Sequence, residues 1–174
     1  MTREELWRLF PVVLTPHQPQ WADWAKDETE LLSGLLCDYN PVISHIGSTA
    51  IPDIQAKPTI DILVEVQAGA DRKHIRQSLE KAGYICMSFS DSRISFNKGY
   101  TPEGYAEKVF HIHIRNIGDN DEIAFRDYLT DHPEAAREYE RLKLSLLPQY
   151  KYDRDGYTEA KSRFIAKILD SAIR

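Results

Sequence analysis

Residues 45–64 read His45-Ile46-Gly47-Ser48-Thr49-Ala50-Ile51-Pro52-Asp53-Ile54-Gln55-Ala56-Lys57-Pro58-Thr59-Ile60-Asp61-Ile62-Leu63-Val64. Val42 to Ile46 form a short strand that runs into Gly47-Ser48. After a Pro-containing connection, Ile60, Ile62, Val64 and Val66 alternate with Asp61, Leu63 and Glu65, which predicts a second strand with one strongly apolar face. A strand that ends in Gly-Ser and opens a helical turn offers backbone N–H groups to a phosphate, and glycine lets a ligand approach the backbone. Gly47, Ser48 and Thr49 are therefore candidate phosphate-binding residues. Asp61, on the other face of the second strand, is placed to act beside them as a catalytic carboxylate or metal ligand. Lys57, in the connection, either contacts a ligand phosphate or sits in solvent.

The segments on either side fill in a mixed pattern. Trp21, Trp24, Ala25, Glu28, Leu31, Leu32, Leu35 and Leu36 recur at helical spacing and predict a helix over 20–37, begun near Pro19. Ile75, Leu79 and Ala82, with Asp71 as N-cap and Gly83 after the end, predict another over 71–82. Strands are expected at 84–88 and 93–97, and the clearest of all at Lys108–Arg115, KVFHIHIR. Helices near 121–130, 133–147 and 156–173 complete the chain, with Pro133 suited to a first helical turn. The fold class is α+β: a mixed β-sheet flanked by helices, with a helical C-terminal third. One domain over 1–174 is expected, its sheet-containing core reaching to about residue 118 and its helical part spanning 119–174.

Composition limits the partners. In 174 residues, 42% hydrophobic and 28% charged, 22 Lys and Arg face 27 Asp and Glu, for a net charge of −5. That balance argues against a dedicated binder of long nucleic acid or anionic membranes, while leaving room for a local basic pocket. No apolar run reaches the roughly 18 residues of a membrane span. The opening MTREELWRLF has no basic region followed by an apolar stretch, so a cytoplasmic setting is expected. The two cysteines, Cys37 and Cys86, have no acid–base partner in sequence and are expected to be buried, reduced thiols.

The KVFHIHIR strand carries the second set of candidates. His111 and His113 lie on one face about 6.6 Å apart at the backbone, so their rings can converge on one ion, with Asp61 completing an Asp-His-His set. Imidazole suits Zn, Mn or Fe better than Mg. The bland reading is a pair of histidines hydrogen-bonded within a partly polar sheet face. Glu65 shares the face of Asp61 but stands roughly 13 Å along the strand, too far to share the ion. A histidine-triad hydrolase would need a third histidine where Arg115 stands, and a cupin a glutamate near Gly118. GSTAIPDIQAKPT lacks the Gly-Lys-Ser/Thr of a P-loop.

Both long C-terminal helices repeat Tyr-x-x-x-Lys, with Lys143 and Lys161 inside the apolar stripes formed with Tyr139 and Tyr157. A lysine so placed either extends its ammonium to water or meets an anion, because an unpaired buried ammonium is costly. Lys143, Lys161 and Arg115 are accordingly expected to neutralise a polyphosphate or another anionic ligand.

HIGSTAIPDIQAKPTIDILV resembles the signature of the GrpB-like proteins. VVLTPHQPQW upstream, FHIHIR, and FRDYL, HPEAAREYERLK and DGYTEAK downstream are similar to other blocks of that family. The resemblance implies a nucleotidyltransferase-like fold related to the polymerase β superfamily, in which Gly-Ser precedes Asp-x-Asp on a strand and two Mg²⁺ ions promote attack on an α-phosphate. Gly47 and Ser48 match the glycine motif and Asp61 the second carboxylate, but Thr59 stands in place of the first. A hydroxyl supplies none of the negative charge that two divalent ions need.

Three functions follow as expectations. The first is metal-dependent transfer of a nucleotidyl group to a small acceptor, with Mg, Mn or Zn held by Asp61 and His111 or His113. The second is a catalytically degenerate module that binds a nucleotide or another phosphorylated small molecule, which Thr59 favours. A metal-dependent phosphohydrolase is the third.

Overall fold

The structure, a computed structural model, describes residues 2–173. Helix α1 (Arg3–Leu9) is followed by α2 (Gln20–Leu35), β1 (Val42–Ile46), β2 (Thr59–Val66), α3 (Arg72–Lys81), β3 (Ile85–Phe89), β4 (Arg93–Thr101) and β5 (Gly104–Asn116). Three helices close the chain: α4 (Asp121–Asp131), α5 (Pro133–Tyr150) and α6 (Arg154–Ile173). The five strands form one sheet in the order β1-β2-β5-β4-β3. Among the described residues only β2 and β5 pair in parallel; the other neighbours are antiparallel. The expected mixed sheet with flanking helices and a helical C-terminal third is what forms.

The two faces of this sheet have different fates. Ile60, Ile62, Val64 and Val66 of β2 join Phe110, Ile112 and Ile114 of β5 and Phe96 and Ile94 of β4 in a core covered by Trp21, Leu32, Leu36, Ile75 and Leu79. Glu28 belongs to the same inward stripe of α2 and is compensated there. It accepts hydrogen bonds from the Tyr84 hydroxyl and from Lys98 at 2.7 Å. The opposite face carries Asp61, His111 and His113. It is walled by the C-terminal helices, which have their own core of Ile51, Ile54, Phe125, Leu129, Tyr139, Phe164 and Ile168. Strand β2, between β1 and β5, is buried at seven of its eight positions, and Asp61 is the exception. Its carboxylate opens into the gap between sheet and helices.

Several boundaries differ from the sequence reading. Helix α1 has no counterpart in it; Thr2 and Glu5 form a reciprocal capping box that stabilises so short a segment. Strands β4 and β5 extend beyond the expected 93–97 and 108–115, out to Thr101 and back to Gly104. Helix α5 continues through Pro148 to Tyr150, and α6 starts at Arg154. Cys37 is exposed and Cys86 only half-buried, correcting the expectation of buried thiols. Cys37 opens a 3-10 turn after α2, and Cys86 lies on β3, an edge strand with one uncovered side.

Candidate functional site

The parallel register of β2 and β5 sets Asp61 beside His111 and Leu63 beside His113, so the three polar side chains share one face. His113 Nε2 lies 3.2 Å from Asp61 Oδ1, and His111 Nδ1 lies 3.6 Å from the same oxygen. An ionised carboxylate only accepts hydrogen bonds, so the ring nitrogens facing it carry the protons. Burial pushes the Asp61 carboxyl upward, but the two imidazoles outweigh that effect and hold it well below the usual carboxylate range. His111 is itself shifted downward, chiefly by burial. The pair is therefore a carboxylate with a neutral imidazole at neutral pH.

A relay continues from His111. Its Nε2 is 2.6 Å from the Tyr100 hydroxyl, which in turn accepts a hydrogen bond from Arg154 at 2.7 Å. Simple alternation would send Tyr100 to the core face with Phe96 and Lys98. The β-bulge between Lys98 and Tyr100 inserts Gly99 and turns Tyr100 to the other side. Gly99 has φ 93°, and a Cβ there would lie 2.2 Å from the Lys108 carbonyl oxygen, so only glycine permits the bulge.

The turn after β1 is built differently from expectation. At Gly47, φ is 76° and a Cβ would meet Asp61 Oδ2 at 2.7 Å, so the space that the missing side chain leaves is occupied by the Asp61 carboxylate. Ser48 borders the cleft beside Tyr139, whose hydroxyl burial pushes up to about 12, with Ser48 acting in the opposite direction. Thr49 turns inward. It is 2% exposed, and its hydroxyl bonds His45 Nε2 at 2.9 Å, which commits the side chain to the fold and leaves only the backbone of Thr49 for a ligand. Burial pushes His45 down to about 4, against the lifting effect of Asp61, so it is neutral.

Above the carboxylate, the cleft encloses about 920 Å³. Lys57, Lys143, Lys161, Arg154, Tyr139 and Tyr157 reach it from the connection and the C-terminal helices. Lys143 is only 2% exposed and donates to the Gln55 carbonyl at 2.5 Å. Its Nζ lies 4.7 Å from the Tyr139 ring centre, and Lys161 Nζ lies 4.5 Å from that of Tyr157, so the repeated Tyr-x-x-x-Lys pattern does stack each lysine on its tyrosine. Lys57 stands 5.6 Å from the Tyr157 ring.

Burial pushes both Lys143 and Lys161 down to about 7, with Lys57 repelling each of them, and burial lowers Lys57 as well. Lys57 and Lys161 keep part of their surface open to the cleft, although each is deep within the molecule. The Tyr157 hydroxyl is fully buried and has no hydrogen-bond partner among the described residues.

Arg115 stands apart. It pairs with Glu122 at 3.2 Å and Asp119 at 3.5 Å and does not line the cleft, so its expected role in neutralising a ligand is not supported. Glu65 is likewise structural, accepting from the Gly118 N–H and the Asn120 amide. Arg154 and Tyr100 are site residues that sequence reasoning missed.

Asp61, His111 and His113 do meet, but on Asp61 itself. Among the described residues no group of three or more His, Cys, Asp or Glu side chains is disposed to hold a metal ion. The two-ion centre of the polymerase β superfamily does not fit this donor set, because Thr59 replaces a carboxylate and Asp61 Oδ1 is shared by two imidazoles.

The five-stranded mixed sheet with its flanking helices is a nucleotidyltransferase-like fold. A structure of Cid1 poly(U) polymerase superposes on 82% of this chain and 44% of its own, with a TM-score of 0.53 and 10% identity, a likeness of fold. The GrpB protein family model matches residues 11–171, and the chain belongs to that family. It is 36% identical over 165 residues to glutamate-rich protein GrpB of Alkalihalophilus pseudofirmus, covering 91% of this chain and 94% of the relative. The crystal structure of the conserved protein GrpB from Enterococcus faecalis matches with a TM-score of 0.77 and 30% identity, over 92% of this chain and 96% of that one. Among the described residues no helix is long and apolar enough to cross a membrane.

Proposed function

We propose that this protein binds a nucleotide or another phosphorylated small molecule in the cleft between the sheet and the C-terminal helices. The observation that carries the reading is the convergence of Lys57, Lys143 and Lys161 on one enclosed space, with Asp61 the acidic group that acts on both Lys57 and Lys161. Desolvated ammonium groups that repel one another are costly unless an anion joins them. The buried, unpartnered hydroxyl of Tyr157 adds a hydrogen-bond donor to the same wall. Arg154 and Ser48 border the space and extend the anion-binding surface along it. Thermal unfolding against a panel of nucleoside mono-, di- and triphosphates and sugar phosphates tests the reading. Stabilisation by phosphorylated ligands and not by the parent nucleosides is expected; no shift with any phosphate would contradict it.

Transfer of a nucleotidyl group to a small acceptor is the second reading. The observation in its favour is that Asp61 opens into the cleft beside Ser48, in the part of the fold where nucleotidyltransferases keep a carboxylate. Release of pyrophosphate from a nucleoside triphosphate, abolished by Asp61→Asn, would support transfer, and its absence across an acceptor panel would leave the binding module.

A further inference from the structure

Positive charge in a phosphate site comes from metal ions or from side chains, and this cleft is built for the second source. A two-ion centre needs several carboxylate oxygens free to bind. Here Asp61 Oδ1 receives both His113 and His111, and Oδ2 fills the space at Gly47. Thr59, in the neighbouring motif position, is neutral and 9% exposed. His111 has its remote nitrogen engaged by Tyr100. An ion placed beside Asp61 would also face the repulsion of Lys57 and Lys161, both of which feel the Asp61 charge, and of Arg154, which acts on His111.

We propose that the cleft takes the phosphate groups of its ligand without a divalent ion, the ammonium groups of Lys57, Lys143 and Lys161 and the guanidinium of Arg154 supplying the charge. This rests on the reading of the cleft as a phosphate site and names its ligand class: a metal-free, multiply charged phosphate such as a nucleoside triphosphate. Tyr157 supplies a neutral donor to the same group. Asp61 is then an electrostatic brake on the site. Its negative charge attracts Lys57 and Lys161 in the empty cleft, partly offsetting their mutual repulsion, and opposes the incoming anion.

Magnesium removes two negative charges from ATP, so a site of this kind prefers the uncomplexed form. Calorimetric titration of the full chain with ATP and with AMP, each in EDTA and in excess Mg²⁺, reads this directly. ATP is expected to bind as tightly or more tightly in EDTA than in Mg²⁺. Asp61→Asn is expected to tighten ATP by about 3- to 10-fold, the order expected from removing one opposing charge at the distance of a neighbouring side chain.

Lys161→Met, checked for native circular dichroism, loses ATP affinity in both conditions. ATP binding that requires Mg²⁺ or Mn²⁺ and is lost in Asp61→Asn would overturn the proposal, as would stoichiometric, Asp61-dependent retention of Mn²⁺ or Zn²⁺ in equilibrium dialysis. Failure of ATP and AMP to bind under any condition would instead sink the reading of the cleft as a phosphate site, and this inference with it.

Discussion

The carboxylate of Asp61 occupies the space that a side chain at residue 47 would need: a Cβ on Gly47 would stand 2.7 Å from Asp61 Oδ2. The glycine that opens the phosphate-like turn thus serves the acid on the next strand. Gly47→Ala would both strain a backbone at φ 76° and displace Asp61 from His113. A loss of about 1–3 kcal/mol in urea unfolding is expected. Gly34→Ala, on the exposed side of α2 with nothing within 4 Å, is the control and leaves stability unchanged or improves it by about 0.5–1 kcal/mol. Equal effects of the two substitutions would show that the Gly47–Asp61 contact carries nothing.

Tyr100 reaches His111 only because of the Gly99 bulge. In Tyr100→Phe the fold is kept while the hydroxyl that serves His111 Nε2 is removed. That hydrogen bond favours the neutral ring, so its loss moves the His111 titration upward. Nuclear magnetic resonance of the imidazole protons reads the change; an unaltered titration would mean that the hydroxyl does not act on the ring.

Lys143 and Lys161 tie stability to pH with a definite sign. Each is about 7 when folded and near 10.5 in the unfolded chain. Between these values the unfolded chain binds the extra protons, so these two groups make unfolding free energy rise as pH increases from 7 toward 10. Urea unfolding across this range is expected to show the rise, and Lys143→Met with Lys161→Met flattens it. An anion reverses the desolvation penalty, so ligand binding at pH 8 takes up protons, measurable by calorimetry in buffers of different ionisation enthalpy. Proton-neutral binding would contradict the assignment.

Arg115 separates the structural cations from the site cations. It is paired with Glu122 and Asp119 away from the cleft. Arg115→Ala is expected to cost about 1 kcal/mol of stability or less and to leave phosphate binding as it is. A marked fall in affinity in a folded variant would return Arg115 to the site.

How much of this was legible in the sequence depends on whether the chemistry followed local periodicity. Alternation along KVFHIHIR and TIDILVEV fixed which residues share a face, and the 3.6-residue wheel placed Lys143 and Lys161 inward. The parallel pairing that joins Asp61 to His111 is a non-local choice that alternation does not determine. Tyr100 was hidden because Gly99 breaks the period of β4 where the side chain changes face. Arg154 was hidden because it lies at the first position of α6, one residue before the block that carried the family resemblance. The orientation of the Thr49 side chain was hidden for a related reason: its hydroxyl could serve a ligand or the neighbouring His45, and the 3-10 turn directs it to His45. Arg115 shared a face with His113, but its length lets it reach Asp119 and Glu122 in the following loop and helix.

The central claim is that the inward lysines make the cleft an anion site. The most direct test is the affinity of ATP for wild-type protein and for the Lys143→Met/Lys161→Met double variant, with unfolding followed on the same samples. Two charge-assisted contacts of roughly 1.5 kcal/mol or more each predict a loss of at least about 100-fold in a variant that stays folded. Unchanged ATP affinity in that folded variant would contradict the account.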